Sequence, residues 1–286
     1  MPVLEPHLID VDRAVLEVFV GGAEGLPICV VPHPINPQSP EGGALAELGQ
    51  LVKVNPRGLG HSTSGEGHDL TIDQLVDDVE AVRRRLGIGR WVLHGSSGGG
   101  EVALRYALRY PDAVTALIVA GCPPGFRRIL GDPRTRMSPT YPQWQRHLVQ
   151  WSPPEPGSGM RWTPLEPGVW VLTENGRPRV VVQAKPPEQP SARQRVVFEE
   201  VVNFSFDDLG LLRAPALVLH GRHDPIVPIE YGAELSAALP NAELVVFEHS
   251  EHGVMSWEPE KYREVVRGFL AEHRRPPASA GVPDRG

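Results

Sequence analysis

The stretch best equipped for chemistry is WVLHGSSGGG at residues 91–100, an apolar run that passes through Gly95, Ser96, Ser97, Gly98 and Gly99 into a helical pattern. A serine set between glycines where a strand turns into a helix fits the G-x-S-x-G nucleophile elbow. The small residues have a physical purpose. On so tight a turn backbone crowds backbone, bulky Cβ substituents would not fit, and the strained turn lifts the serine hydroxyl clear of the sheet. The first turn of the following helix offers free N–H groups to a developing oxyanion. Ser97 is therefore the candidate nucleophile. A Gly-rich turn can also cradle a phosphate or be a plain tight turn, but this one lacks the Walker lysine and the glycine spacing of a dinucleotide site.

A serine hydroxyl is inert until a base takes its proton, and the order Ser, Asp, His along an α/β chain is the arrangement to look for. Asp224 follows the strand-like run ALVLHG, within HGRHDPIVP, where a sheet would present an orienting carboxylate. His252 follows the next such run, within LVVFEHSEHGVMSWEP, with His249 as the rival base three residues earlier. Three such residues at successive strand ends make a chance grouping improbable, although Asp224 alone reads as a turn-former before Pro225. His220 and His223 read as shaping the Asp224 loop. Paired histidines without an H-E-x-x-H pattern or a third ligand do not make a metal site, so no metal is expected.

The elements that must position these residues follow an α/β rhythm. Apolar strand-like runs stand at 13–20, 26–33, 50–54, 91–95, 114–121, 216–221 and 243–247. Between them lie helical patterns at 41–49, 71–86, 101–111, 230–239 and from Pro259 to about His273. The best signalled is TIDQLVDDVEAVRRRLGIG, where Thr71 and Gln74 form a capping box, acids fill the early turns, Arg83 to Arg85 fill the last, and Gly87 follows. Such alternation implies a parallel sheet with helices on both faces. Residues 123–190 differ, holding 14 of 31 prolines and four of six tryptophans. The expected division is a core of 1–122 and 209–275, an inserted cap of 123–208 with a β-hairpin around Asn175 and Gly176, and a disordered tail at 276–286.

Composition narrows the functions. A net charge of −7 over 286 residues argues against nucleic acid as a partner. No apolar run approaches the ~18 residues that span a bilayer, so no membrane role is expected. The N-terminus carries proline and acids where a secretory signal needs a basic start and an apolar stretch, and Cys29 and Cys122 are the only cysteines, so a cytoplasmic soluble protein is expected.

The pieces VVPHPINP at 30–37, NPRGLGHS at 55–62, HGSSGGGEVALRYALRYPDAVTALIVAG at 94–121, GRHDPIVP at 221–228 and EHSEHGVMSWEPEKY at 248–262 together resemble the α/β-hydrolase-fold serine hydrolases. The likeness is strongest to the proline iminopeptidase-like and ester hydrolase branches and covers about 10–122 and 209–272. It implies a mostly parallel sheet flanked by helices, a Ser97, Asp224 and His252 triad, and no cofactor. By position it gives the oxyanion donors as the N–H groups of Gly98 and Ile35, with Pro34 in place of a usual glycine and a cis bond at His33–Pro34 allowed for. Asn36 reads either as a turn residue or as a supplement to that hole or a substrate contact, and Arg57 as a brace of its loop. Tyr141, Trp144, Trp151 and Trp162 of the cap would line an apolar pocket for a small-molecule substrate. The expected reaction is cleavage of a carboxylic ester, thioester or lactone. Iminopeptidase activity would need carboxylates such as Glu199, Glu200, Asp207 or Asp208 to meet a free amine, and that branch typically carries a tryptophan where this chain has Gly98. A ligand-binding receptor or a non-hydrolytic tailoring catalyst on the same fold is the third reading. The Trp-rich cap also offers a surface on which a homodimer could form.

Overall fold

Strands that are apolar on successive residues need cover on both faces, and helices with one apolar stripe supply it. The computed structural model describes residues 4–34, 41–64, 71–135, 160–166, 169–174, 177–183 and 208–273. Its strands are β1 (Leu4–Val11), β2 (Ala14–Gly22), β3 (Pro27–Val30), β4 (Gln50–Val54), β5 (Trp91–Ser96), β6 (Val114–Ala120), β7 (Met160–Glu166), β8 (Val169–Glu174), β9 (Arg177–Gln183), β10 (Ala216–Gly221) and β11 (Ala242–Phe247). Its helices are α1 (Glu41–Ala46), α2 (Ile72–Arg85), α3 (Gly98–Arg109), α4 (Arg127–Gly131), α5 (Ile229–Ala238), α6 (Val254–Trp257) and α7 (Pro259–Glu272).

Eight strands form one sheet in the order β1-β2-β4-β3-β5-β6-β10-β11. The β1/β2 and β2/β4 pairs are antiparallel and every later pair is parallel, the mostly parallel, helix-flanked sheet expected of the α/β-hydrolase fold. Successive residues of the central strands face opposite cores. Leu93, Val119 and Val218 pack with α2, α3 and α5 through Val76, Val102 and Leu235. Ile28, Val92 and Leu217 pack with α1 and α7 through Leu45, Tyr262 and Val266. A second, antiparallel sheet joins β7, β8 and β9, with Glu174 opposite Arg177 across residues 175–176. Residues 274–286 lie outside the described residues. Among the described residues no helix is long and apolar enough to cross a membrane.

Three boundaries differ from the sequence reading. β1 was not expected, because Pro6 and a mostly exposed face disguise it; both are tolerated at the sheet edge, where one side of the strand needs no partner. The first helix ends at Ala46 rather than at residue 49, since Leu48 and Gly49 turn back onto the Leu45 carbonyl before β4. α3 begins at Gly98 rather than at 101, because three glycines carry no helical periodicity in their side chains.

Buried polar groups test how well this packing is satisfied. The Thr71 hydroxyl accepts from the Gln74 amide at 3.0 Å and starts α2, whose inner face then brings Asp78 to the loop after β4. There Arg57 donates from Nε and Nη2 to both Asp78 carboxylate oxygens at 2.8 and 2.7 Å, and from Nη2 to the Asp12 carbonyl at 2.7 Å. Both side chains are almost wholly buried, so Arg57 braces its loop. Glu101 on α3 is the opposite case. It is fully buried and neither carboxyl oxygen has a hydrogen-bond partner of ordinary geometry. Burial pushes its pKa up to about 9, the nearby Phe126 amide offsetting this only in part.

Two stability measurements follow. Asp78→Ala leaves the Arg57 guanidinium buried and unpaired and should cost roughly 3–5 kcal/mol in denaturant unfolding, while the Arg57→Met, Asp78→Leu double variant should cost much less than twice that; a loss within error of zero would mean that water reaches the pair. Glu101 stays protonated in the fold up to a pKa of about 9, whereas in the unfolded chain it ionises in the ordinary carboxylate range. Its contribution is therefore greatest at acid pH and falls as the pH rises toward about 9. Glu101→Gln removes this dependence, so its advantage in Tm over the parent should widen from pH 5 to pH 9, and parallel Tm curves would contradict the buried neutral acid.

Candidate active site

The chain runs from β3 to β4 on one side and then crosses to β5 on the other, so the sheet order reverses between β3 and β5. A crevice outside the carboxyl ends of such strands is where open α/β sheets bind ligands. β5 ends there at Ser96 and α3 begins at Gly98. Ser97 joins them with φ 52° and ψ −124°, a left-handed conformation that a residue with a Cβ adopts only under constraint. The constraint is visible. The Ser97 amide donates to the Ala120 carbonyl of β6 at 2.8 Å, and the Gly100 amide donates back to the Ser97 carbonyl at 2.8 Å. Gly95 is required by close approach, since a Cβ there would lie 2.4 Å from the Gly99 carbonyl oxygen. The first helical residue, Gly98, faces the His33 ring and Pro34 at 3.3–3.5 Å from where its own Cβ would be. The loop after β3 thus meets the elbow, and the His33–Pro34 peptide is trans.

Asp224 lies in the loop after β10 with a fully buried side chain. Its Oδ1 accepts from the Ile226 and Val227 amides at 2.8 and 2.9 Å. Its Oδ2 meets Nδ1 of His252 at 2.7 Å. A carboxylate only accepts, so His252 carries its proton on Nδ1 and turns Nε2 outward as the basic nitrogen. The imidazole also packs against Gly121, its Cε1 and Nδ1 lying 3.0 and 3.1 Å from where a Cβ there would be. Gly121 directly follows Ala120, the residue that holds the Ser97 amide. Ser97 and His252 therefore gather at the end of one strand, β6.

The two loops are tied to each other. The His223 amide donates to the Ser250 carbonyl at 3.0 Å and the Arg222 amide to the Phe247 carbonyl at 2.9 Å. Glu258, at the start of α7, accepts from the His249 amide at 3.0 Å and the Ser250 hydroxyl at 2.6 Å. His252, and not the exposed His249, is the histidine brought to Asp224. Glu258 and Gly121 escaped the sequence reading. Glu258 looks like an ordinary acid before the helix-starting Pro259, and only the fold shows that it caps the histidine loop.

Of the other expected site residues, Ile35, Asn36, Tyr141, Trp144 and Trp151 lie outside the described residues, and Trp162 falls within β7. Asp208 is found near Arg105 and Arg109, toward the far end of α3, about 12 Å along the helix from Ser97. Among the described residues no group of three or more His, Cys, Asp or Glu side chains is placed to hold a metal.

The sequence pattern of the alpha/beta hydrolase fold family matches residues 49–157 and 174–259. A bifunctional esterase/perhydrolase of Acinetobacter calcoaceticus is 29% identical over 242 residues, covering 79% of this chain and 83% of that protein. A probable proline iminopeptidase of Leptolyngbya boryana is 28% identical over 236 residues, covering 72% and 74%. Among solved structures, an alpha/beta fold family hydrolase from Bacillus anthracis str. Sterne shares the fold with a TM-score of 0.73 at 20% identity, over 93% of this chain and 99% of that one. The family pattern spans more than half of the chain and takes in the elbow and the loops of Asp224 and His252, so this chain belongs to the alpha/beta hydrolase fold family, and that membership supports hydrolase activity.

Proposed function

We propose that the protein is a serine hydrolase that cleaves a carboxylic ester, thioester or lactone of a small, largely apolar substrate. The observation that carries this reading is the 2.7 Å contact between Asp224 Oδ2 and His252 Nδ1, set against the strand end that also holds Ser97 in its positive-φ turn. With its proton fixed on Nδ1, His252 takes the Ser97 hydroxyl proton on Nε2 as Oγ attacks the carbonyl carbon. Asp224 stabilises the imidazolium that results. The Gly98 N–H, at the start of α3, and the Ile35 N–H stabilise the tetrahedral oxyanion. The alcohol or thiol leaves with the proton from His252, and water, activated by the same base, releases the acid and regenerates Ser97. No step needs a metal or an organic cofactor.

Two features support an ester rather than a peptide substrate. The space beside Gly98 is bordered by the His33 ring and Pro34, with no side chain of residue 98 to recognise an imino ring. Asp208, one of the carboxylates that could meet a substrate amine, lies near Arg105 and Arg109 toward the far end of α3 from the elbow. The esterase/perhydrolase relative points the same way, while the iminopeptidase relative keeps the peptidase outcome worth measuring. Residues 123–208 would serve as the cap, with Tyr141, Trp144, Trp151 and Trp162 giving substrate preference.

The test sets the parent against Ser97→Ala on short-chain aryl esters, aliphatic lactones and a proline anilide, with mass spectrometry of the protein after fluorophosphonate treatment. Ester or lactone turnover should fall by about 10³-fold or more in the variant, and the phosphonyl adduct should map to Ser97. Proline release would move the protein to the peptidase branch. Absence of both turnover and adduct would overturn the hydrolase reading in favour of a receptor or tailoring role.

A further inference from the structure

His220 sits on β10 four residues before Asp224, fully buried. Its Nε2 lies 2.7 Å from the Val227 carbonyl oxygen. A carbonyl only accepts, so Nε2 carries the proton and Nδ1 is left as a bare lone pair. That Nδ1 is buried with no hydrogen-bond partner, and α5 closes over it: a Cβ on Gly232 would come within 2.3 Å. Burial lowers the pKa of the ring, Asp224 opposing this in part. The ring is thus a neutral imidazole whose one N–H points into the turn 224–227.

That turn holds the catalytic carboxylate from two directions. The Ile226 and Val227 amides occupy Asp224 Oδ1, which orients the 225–226 and 226–227 peptide groups, and the Val227 carbonyl held by His220 belongs to the next peptide group, 227–228. The Val227 carbonyl belongs to a residue with no exposure, so His220 Nε2–H supplies a partner to a carbonyl far from water. The same nitrogen is 3.6 Å from Asp224 Oδ2, too long for a hydrogen bond, yet it places the positive end of an N–H dipole beside the oxygen that faces His252. A leucine would fill the same space in the core but would leave the Val227 carbonyl unpaired.

The geometry points to His220 as a positioning residue: its Nε2–H to Val227 contact locks the turn that presents Asp224 to His252. This inference rests on the serine hydrolase reading above. The test compares His220→Leu, His220→Gln and Gly232→Ala with the parent and with Ser97→Ala. Gly232→Ala crowds the His220 ring while leaving its chemistry and the residues of the turn unchanged, so it tests the contact if His220→Leu does not fold.

Three readouts are taken: the rate of fluorophosphonate labelling, kcat and KM on whichever panel ester turns over, and the downfield proton resonance of a His–Asp hydrogen bond, with Asp224→Asn as its negative control. His220→Leu and Gly232→Ala should lower the labelling rate and kcat on the order of tenfold to a hundredfold, as small misplacements of catalytic groups do. KM should change little, and the resonance should shift or vanish. His220→Gln, which keeps an N–H, should recover part of the loss. Parent-like labelling and an unmoved resonance in folded His220→Leu, or in Gly232→Ala, would overturn the inference. A Ser97→Ala protein that still turns over ester would instead defeat the assignment of Ser97 as the nucleophile, on which the inference rests, whatever the His220 variants do.

Discussion

The backbone of α3 approaches the end of β5 so closely that no side chain fits between them, and the placing of the nucleophile depends on it. Gly95 has no room for a Cβ against Gly99, and Gly100 meets the Cys122 side chain where its own Cβ would stand. With no side chain as spacer, α3 starts within one residue of the strand, and the connecting Ser97 has no conformation left but a positive φ. The cost of that φ is of order 1–3 kcal/mol and is offset by the surrounding packing. What it secures is a hydroxyl at the tip of the turn and the N–H of Gly98 beside it, both at the topological switch of the sheet.

The second half of the chain brings its groups to that point by hydrogen bonds between loops together with close backbone packing at the end of β10. Asp224 spends one oxygen on two amides of its own turn and the other on His252, so it has no freedom to swing away. The loop of His252 is fixed at both ends, by Glu258 on one side and by the end of β10 on the other, where a Cβ on Gly221 would strike the Glu251 carbonyl. A buried carboxylate with its hydrogen bonds met, beside an imidazole left about one-quarter exposed, is an acceptor fixed in place and a base still able to reach substrate.

What could be read in the sequence is what local chemistry encodes. The elbow was legible because glycine spacing and a strand-to-helix change occur within ten residues, and Asp224 and His252 because each follows an unbroken apolar run. α2 was legible from Thr71, Gln74 and Gly87. What was hidden depends on distant partners. β1 looks like an irregular start until β2 pairs with it, Glu258 looks like a surface acid until Ser250 lies beneath it, and the burial of Glu101 follows from the segment after β6 folding down onto α3. The expected oxyanion donor Ile35 rests on position alone, because the loop after Pro34 lies outside the described residues.

The segment leaving the main sheet after β6 adds one more link to this design. Phe126 and Ile129 are buried in the same core as Tyr231 and Leu235 of α5, the helix that begins five residues after Asp224. Around that apolar contact Arg128 pairs with Glu234, Arg134 with Glu230, and the Tyr231 hydroxyl donates to Asp132 at 3.1 Å. Each exposed pair is worth little by itself in water. Arranged about a buried contact, they fix the register of 126–135 on α5, the helix whose Gly232 closes over His220. The stretch that leads toward residues 136–207 and the turn that holds Asp224 are therefore mounted on one support, so a shift of α5 would be felt by both together.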